Sequence, residues 1–149
     1  MITTEQVKKL RDKTQAPVME VKRALEETKG NEEEAKKILT EKALARAEKK
    51  KERTAGDGMI FSYVHSGGKV GVLLDLRCET DFVARTEVFQ NLGKELCLQI
   101  ASMDPQSTEN LLEQEYVRDP EKKVSDLIGE AAGTLGENVR IEGFTRYEI

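Results

Sequence analysis

The chain has 149 residues, 35% of them charged, and its 24 basic and 28 acidic side chains give a formal net charge of −4. That length fits one ordinary domain or two small ones, and the mild acidic balance excludes a bulk electrostatic pull toward nucleic acid or an anionic membrane. No apolar run approaches the roughly 20 residues of a membrane span, and the polar, already periodic stretch from Met1 to Arg11 does not read as a signal peptide.

The first fifty residues predict three helices. Thr3 or Thr4 caps the first, which carries Val7, Leu10 and Arg11 and stops near Thr14. Pro17 suits a first helical position, where no N–H is required. The second helix shows Val18, Val21, Ala24 and Leu25 on one face, and Gly30 ends it as a left-handed cap. Asn31 caps the third, Glu32, Glu33 and Glu34 complement its positive end, and Ala35, Ile38 and Leu39 form its apolar stripe. Five basic and two acidic residues between Arg46 and Arg53 predict a solvated helical extension into a linker. Ala55-Gly56-Asp57-Gly58 breaks the pattern and marks a boundary between a helical domain, 1–54, and a second domain, 55–149.

Beyond it the apolar period changes from 3.6 to 2. Met59, Phe61, Tyr63 and His65 share one face of a strand, Ser66-Gly67-Gly68-Lys69 is a hairpin turn, and Val70, Val72, Leu74, Leu76 and Cys78 line the returning strand. Thr80-Asp81-Phe82-Val83 is a strand-to-helix junction. Thr86 caps a helix with Phe89, Leu92, Leu96 and Ile100 on one face, which Asp104-Pro105 ends. Residues 105–119 are ambiguous, with Leu111 and Leu112 pointing to a short helix. Val124, Leu127, Ile128, Ala131 and Leu135 predict a further amphipathic helix closed by Gly136, and Val139, Ile141 and Tyr147 a final strand bent near Gly143. That strand is expected to pair with the hairpin, giving an α+β fold: a three-helix bundle followed by a small antiparallel sheet backed by two helices.

No catalytic constellation can be assembled. The sole histidine, His65, lies by a hairpin turn, far in sequence from either cysteine. Cys78 and Cys97 sit in apolar patterns without metal-ligand spacing and read as buried free thiols, which suits a reducing cytoplasm. Gly67-Gly68 is followed by a strand, so it is no phosphate-cradling loop. The expectation is a non-enzymatic protein with no catalytic residue, metal or cofactor. Two stretches are open to a binding role. At the junction, either Asp81 caps the first turn and Phe82 tucks into the core, or Phe82 projects as an anchor for another protein's pocket. In Ala16-Pro17-Val18-Met19, either both apolar side chains cover a small core or one is left to a partner. The basic run lacks the interleaved aromatics that stack on bases.

Thr80-Asp81-Phe82-Val83, after a strand ending Arg77-Cys78-Glu79, resembles the signature of the elongation factor Ts family. Val7-Lys8-Lys9-Leu10-Arg11 and Pro17-Val18-Met19-Glu20-Val21-Lys22-Arg23-Ala24-Leu25 resemble its opening domain, and Leu135-Gly136-Glu137-Asn138-Val139-Arg140-Ile141 its closing segment. The resemblance implies a ubiquitin-associated-like helical domain before a core module. It implies a guanine-nucleotide exchange factor that binds the GDP form of the GTPase elongation factor Tu during translation elongation. Val18, Met19 and Glu20 would touch the GTPase domain. Thr80, Asp81, Phe82 and Val83 would work near its magnesium site, with the Asp81-Phe82 pair as the wedge. The family's longer members carry a second core half and a coiled coil, for which this chain has no room. A lone half-core exposes a sheet edge, so a homodimer is expected. The alternative is a ubiquitin-associated-like adaptor or RNA-associated module built on the first 53 residues.

Overall fold

A computed structural model describes residues 1–149. Thr3 caps α1 (Thr4–Thr14) in a capping box: its hydroxyl accepts from the Gln6 N–H at 3.1 Å, and the Gln6 amide oxygen accepts from the Thr3 N–H at 2.9 Å. α2 spans Val18–Glu27, so Pro17 occupies the N-cap, one residue earlier than the sequence pattern placed it. It closes through Lys29 and Gly30, both at positive φ, with the Gly30 N–H donating to the Leu25 carbonyl. Asn31 caps α3 (Glu32–Glu48) by accepting from the Glu34 N–H. Leu10, Ala16, Val21, Ala24, Leu25, Ala35 and Leu39 form the core of this bundle.

The second module is a three-stranded antiparallel sheet in the order β1 (Asp57–Val64), β2 (Val70–Cys78), β5 (Arg140–Glu148). The hairpin turns at Gly67 and Gly68, both in the left-handed region that the tight connection requires. β5 carries a bulge: Asp75 faces Gly143 while Leu76 faces Ile141, which leaves Glu142 as the extra residue. Phe61, Val72, Leu74, Leu76, Cys78 and Ile141 point inward onto α5 (Glu87–Met103). Phe61 lies over Gly93, where a Cβ would fall 2.3 Å from its ring. The opposite face leaves Ile60, Val64, Leu73 and Tyr147 exposed.

α7 (Val124–Leu135) is the second backing helix: Val124, Ile128, Ala131 and Ala132 share the sheet's core, and its densest packing is against α3 and α5. The extension expected from Arg46 to Arg53 is solvated only in part: Glu48, Lys49, Lys51, Glu52 and Arg53 are exposed, but α3 ends at Glu48 and its last two turns lie on α7. Ala47 is buried in the core of the second module. The Arg46 guanidinium donates from Nη1 to both carboxylate oxygens of Glu20 at 2.9 and 3.0 Å, and from Nε to the Gly133 carbonyl at 3.0 Å. Gly133 permits the close crossing: a Cβ there would sit 1.8 Å from the Ala43 carbonyl oxygen.

The ambiguous stretch contains α6 (Thr108–Glu113) and a small hairpin, β3 (Glu115–Tyr116) with β4 (Asp119–Lys123), that the pattern did not reveal. Asp-Pro-Glu-Lys-Lys has no apolar alternation, and Pro120 lacks a strand donor. Side chains from α5 secure it instead. Buried Gln99 donates to the Glu115 carbonyl and accepts from the Val117 N–H, and Glu95 accepts from the Tyr116 hydroxyl.

Candidate functional site: an outward aromatic at a strand-to-helix turn

β2 ends at Cys78, and the chain turns at Thr80 into α4 (Asp81–Ala84), a single helical turn. Thr80 is its N-cap: the hydroxyl oxygen accepts from the Val83 N–H at 3.3 Å. Thr80, not Asp81, therefore supplies the cap. Asp81 pairs instead with Arg85 at 2.9 Å, and both side chains are largely in solvent. Val83 and Ala84 roll inward to the core, at 6% and 0% exposure, while Phe82 points away from it at 76%. Of the two open alternatives, the structure has the ring outside.

A carboxylate from the other end of the module holds this turn. One oxygen of Glu137 accepts from the Glu79 and Thr80 N–H groups, both at 3.0 Å; the other accepts from the Thr80 hydroxyl at 2.7 Å. Glu79 replies by accepting from the Asn138 N–H at 2.6 Å. The Asn138 amide donates to the Lys51 and Arg53 carbonyls at 3.2 and 2.7 Å, which fastens the connector between the modules to the same point. The Cys78 thiol donates to the Thr80 carbonyl at 3.1 Å.

At the start of α2, Val18 and Met19 are 47% and 58% exposed, so neither is spent on the bundle core. Glu20 differs, because its carboxylate is occupied by Arg46. The two groups are not brought together into one cluster; they belong to separate modules that α3 and α7 join. Arg46, Glu137 and Asn138 organise them and carried no local signal, since their partners lie at least 26 residues away.

What the turn presents to solvent is an aromatic ring beside an ion-paired carboxylate. Burial pushes both thiols up to about 11, so neither is a ready nucleophile. The His65 Nδ1 is engaged with the Tyr63 hydroxyl at 2.8 Å in an exposed setting. No three His, Cys, Asp or Glu side chains gather as metal ligands. No helix is long and apolar enough to cross a membrane.

Comparison with known proteins agrees with the sequence resemblance. A family profile described as "Elongation factor TS" matches residues 79–149, which takes in the Thr80–Val83 turn. An elongation factor Ts from Thermoanaerobacter sp. (strain X514) is 40% identical, the match covering 99% of this chain and 95% of that protein. Those from Coprothermobacter proteolyticus and Thermotoga maritima are 42% and 39% identical, with 99% of this chain covered in both cases and 98% and 96% of the relatives. The Thermoanaerobacter match runs over 193 positions, more than the 149 residues here, so that relative carries segments this chain lacks. The similarity takes in both modules rather than the helical bundle alone, and the chain belongs to the elongation factor Ts family.

Proposed function

We propose that this chain is a cytoplasmic guanine-nucleotide exchange factor for elongation factor Tu. It binds the GDP form of that GTPase and promotes GDP release during translation elongation, with no covalent step of its own. Magnesium bridges the phosphates and the GTPase, so a group that disturbs the ion's surroundings loosens the nucleotide. Linkage makes the effect reciprocal: GDP weakens the factor's hold by the factor's own effect on GDP. A ten-thousandfold loosening requires about 5.5 kcal/mol of differential binding. One buried phenyl ring supplies about 2–3 kcal/mol. Phe82 therefore acts as the wedge, beside Asp81 and on the frame of Thr80 and Val83, while Val18 and Met19 add docking energy on the GTPase domain. Glu20 serves that docking indirectly, by fixing α2 to Arg46.

The observation that carries the proposal is a phenylalanine held 76% exposed beside two buried neighbours. The test is Phe82→Ala in stopped-flow release of fluorescent GDP from elongation factor Tu. Release at saturating factor should slow by about 30- to 150-fold, the kinetic equivalent of the ring's burial, with a smaller loss of affinity. Unchanged release by a folded variant refutes the wedge. Self-association through the core sheet accompanies this proposal, supported by Ile60, Val64, Leu73 and Tyr147 on its uncovered face.

A further inference from the structure

We infer that Glu137 is a positioning residue for Phe82, setting the direction in which the ring leaves the protein. The inference rests on the exchange-factor proposal and extends it to a residue distant in sequence. Because Phe82 is 76% exposed, few contacts of its own hold it, and the backbone of the α4 turn determines its direction. That backbone follows directly after the end of β2, where the ladder has stopped. The Glu79 and Thr80 N–H groups have no backbone partner there, and both donate to Glu137 instead. The Thr80 hydroxyl has two duties. Its proton goes to Glu137 at 2.7 Å, which turns the oxygen's lone pairs toward the Val83 N–H that it caps. The carboxylate therefore fixes both the backbone before the turn and the rotamer of its cap.

The geometry that delivers Glu137 is itself fixed. Gly136 closes α7 at a φ of 75° and reverses the chain, and Asn138 returns a bond to Glu79 while holding the connector carbonyls. A charged acceptor shared among three donors is stronger and more directional than neutral pairs. Preorganisation of this kind affects a reaction rate more than it affects folding, because a binding group that points correctly only part of the time is effectively diluted by that fraction. Val83 and Ala84 are anchored in the core by their own burial, so loss of Glu137 is expected to free the ring while the module stays folded.

The experiment uses the full chain and elongation factor Tu loaded with fluorescent GDP, comparing the unaltered protein with Glu137→Ala, Glu137→Gln, Phe82→Ala and the Glu137→Ala/Phe82→Ala double variant. Glu137→Ala should lower the release rate at saturating factor by about tenfold, as expected when the competent orientation falls to a tenth of the population. Glu137→Gln, whose amide oxygen still accepts both N–H groups, should recover most of that loss. In the double variant the Glu137 effect should vanish, since it acts through a ring no longer present. Should Glu137→Ala fail to fold, Glu137→Asp, whose shorter side chain withdraws the carboxylate from its three donors, takes its place in the same cycle. Full activity of the single variant, or losses that multiply in the double, overturns the positioning role and leaves the exchange proposal standing. No acceleration by the unaltered chain overturns both.

Discussion

Gly133→Ala tests how the two modules are joined. The added Cβ would lie 1.8 Å from the Ala43 carbonyl oxygen, 2.4 Å from its carbon and 2.6 Å from its Cα. These are backbone atoms of α3 and cannot rotate away. An ordinary carbon–oxygen contact is about 3.3 Å or more, so the helices must separate by about 1.5 Å at their crossing. Overpacking of this kind costs about 1–3 kcal/mol, and the Arg46 bond to the Gly133 carbonyl, worth about 1 kcal/mol, is strained as well. Replacing glycine within a helix returns about 1 kcal/mol. The net expectation is a loss of about 2 kcal/mol, which lowers the melting temperature by about 4–8 °C for a chain of this size. Gly129→Ala is the internal control, one turn earlier on α7. Its Cβ would meet only the Leu44 Cδ2 at 2.7 Å, the end of a side chain that can swing aside, and it receives the same helical gain. Thermal unfolding followed by circular dichroism, run on both variants together, decides the matter. A Gly133→Ala protein melting at or above Gly129→Ala would refute the close-packed junction.

The double change Val18→Ser/Met19→Ser should weaken association with elongation factor Tu by about 30- to 150-fold, from about 2–3 kcal/mol of lost burial, while release at saturation stays near normal; calorimetric titration with unaltered affinity would exclude α2 as a docking surface. Leu73→Glu places a charge at the centre of the exposed sheet face, so light scattering should find twice the chain mass for the unaltered protein and a monomer for the variant. A monomeric unaltered protein would remove the dimer proposal. Cys78 and Cys97 are raised from 9.0 to about 11 in the folded state, so the unfolded chain releases these protons first, and their contribution to stability is complete below pH 9 and falls as pH rises toward 11. Native-state alkylation should accordingly keep climbing about tenfold per pH unit past 9; a plateau at 9 would show thiols in an ordinary setting.

Local physics made most of the elements readable. Thr3, Asn31 and Thr86 each cap the helix that follows, and the alternation from Val70 to Cys78 matches β2 residue for residue. The pattern failed where stability comes from far along the chain. Nothing near Arg46 announces a carbonyl 87 residues away, and the β3–β4 hairpin exists because Gln99 and Glu95 hold a segment with little strand character of its own. The candidate site shows the same division. Asp-Phe-Val-Ala contains two large apolar side chains in one turn, and only three-dimensional packing selects Val83 for the interior and Phe82 for solvent. The exchange role attached to that ring rests on family resemblance, since the residues alone favoured a buried staple and the ring lies outside.

Phe82 stands clear of its own subunit before any partner arrives. No internal latch has to lift, so encounter should be governed by diffusion and orientation, with an observed binding rate that stays proportional to concentration instead of levelling off at an opening step. Under the proposed exchange role, whatever waiting occurs in the cycle would then belong to the GTPase, which would have to part around a probe that is permanently drawn.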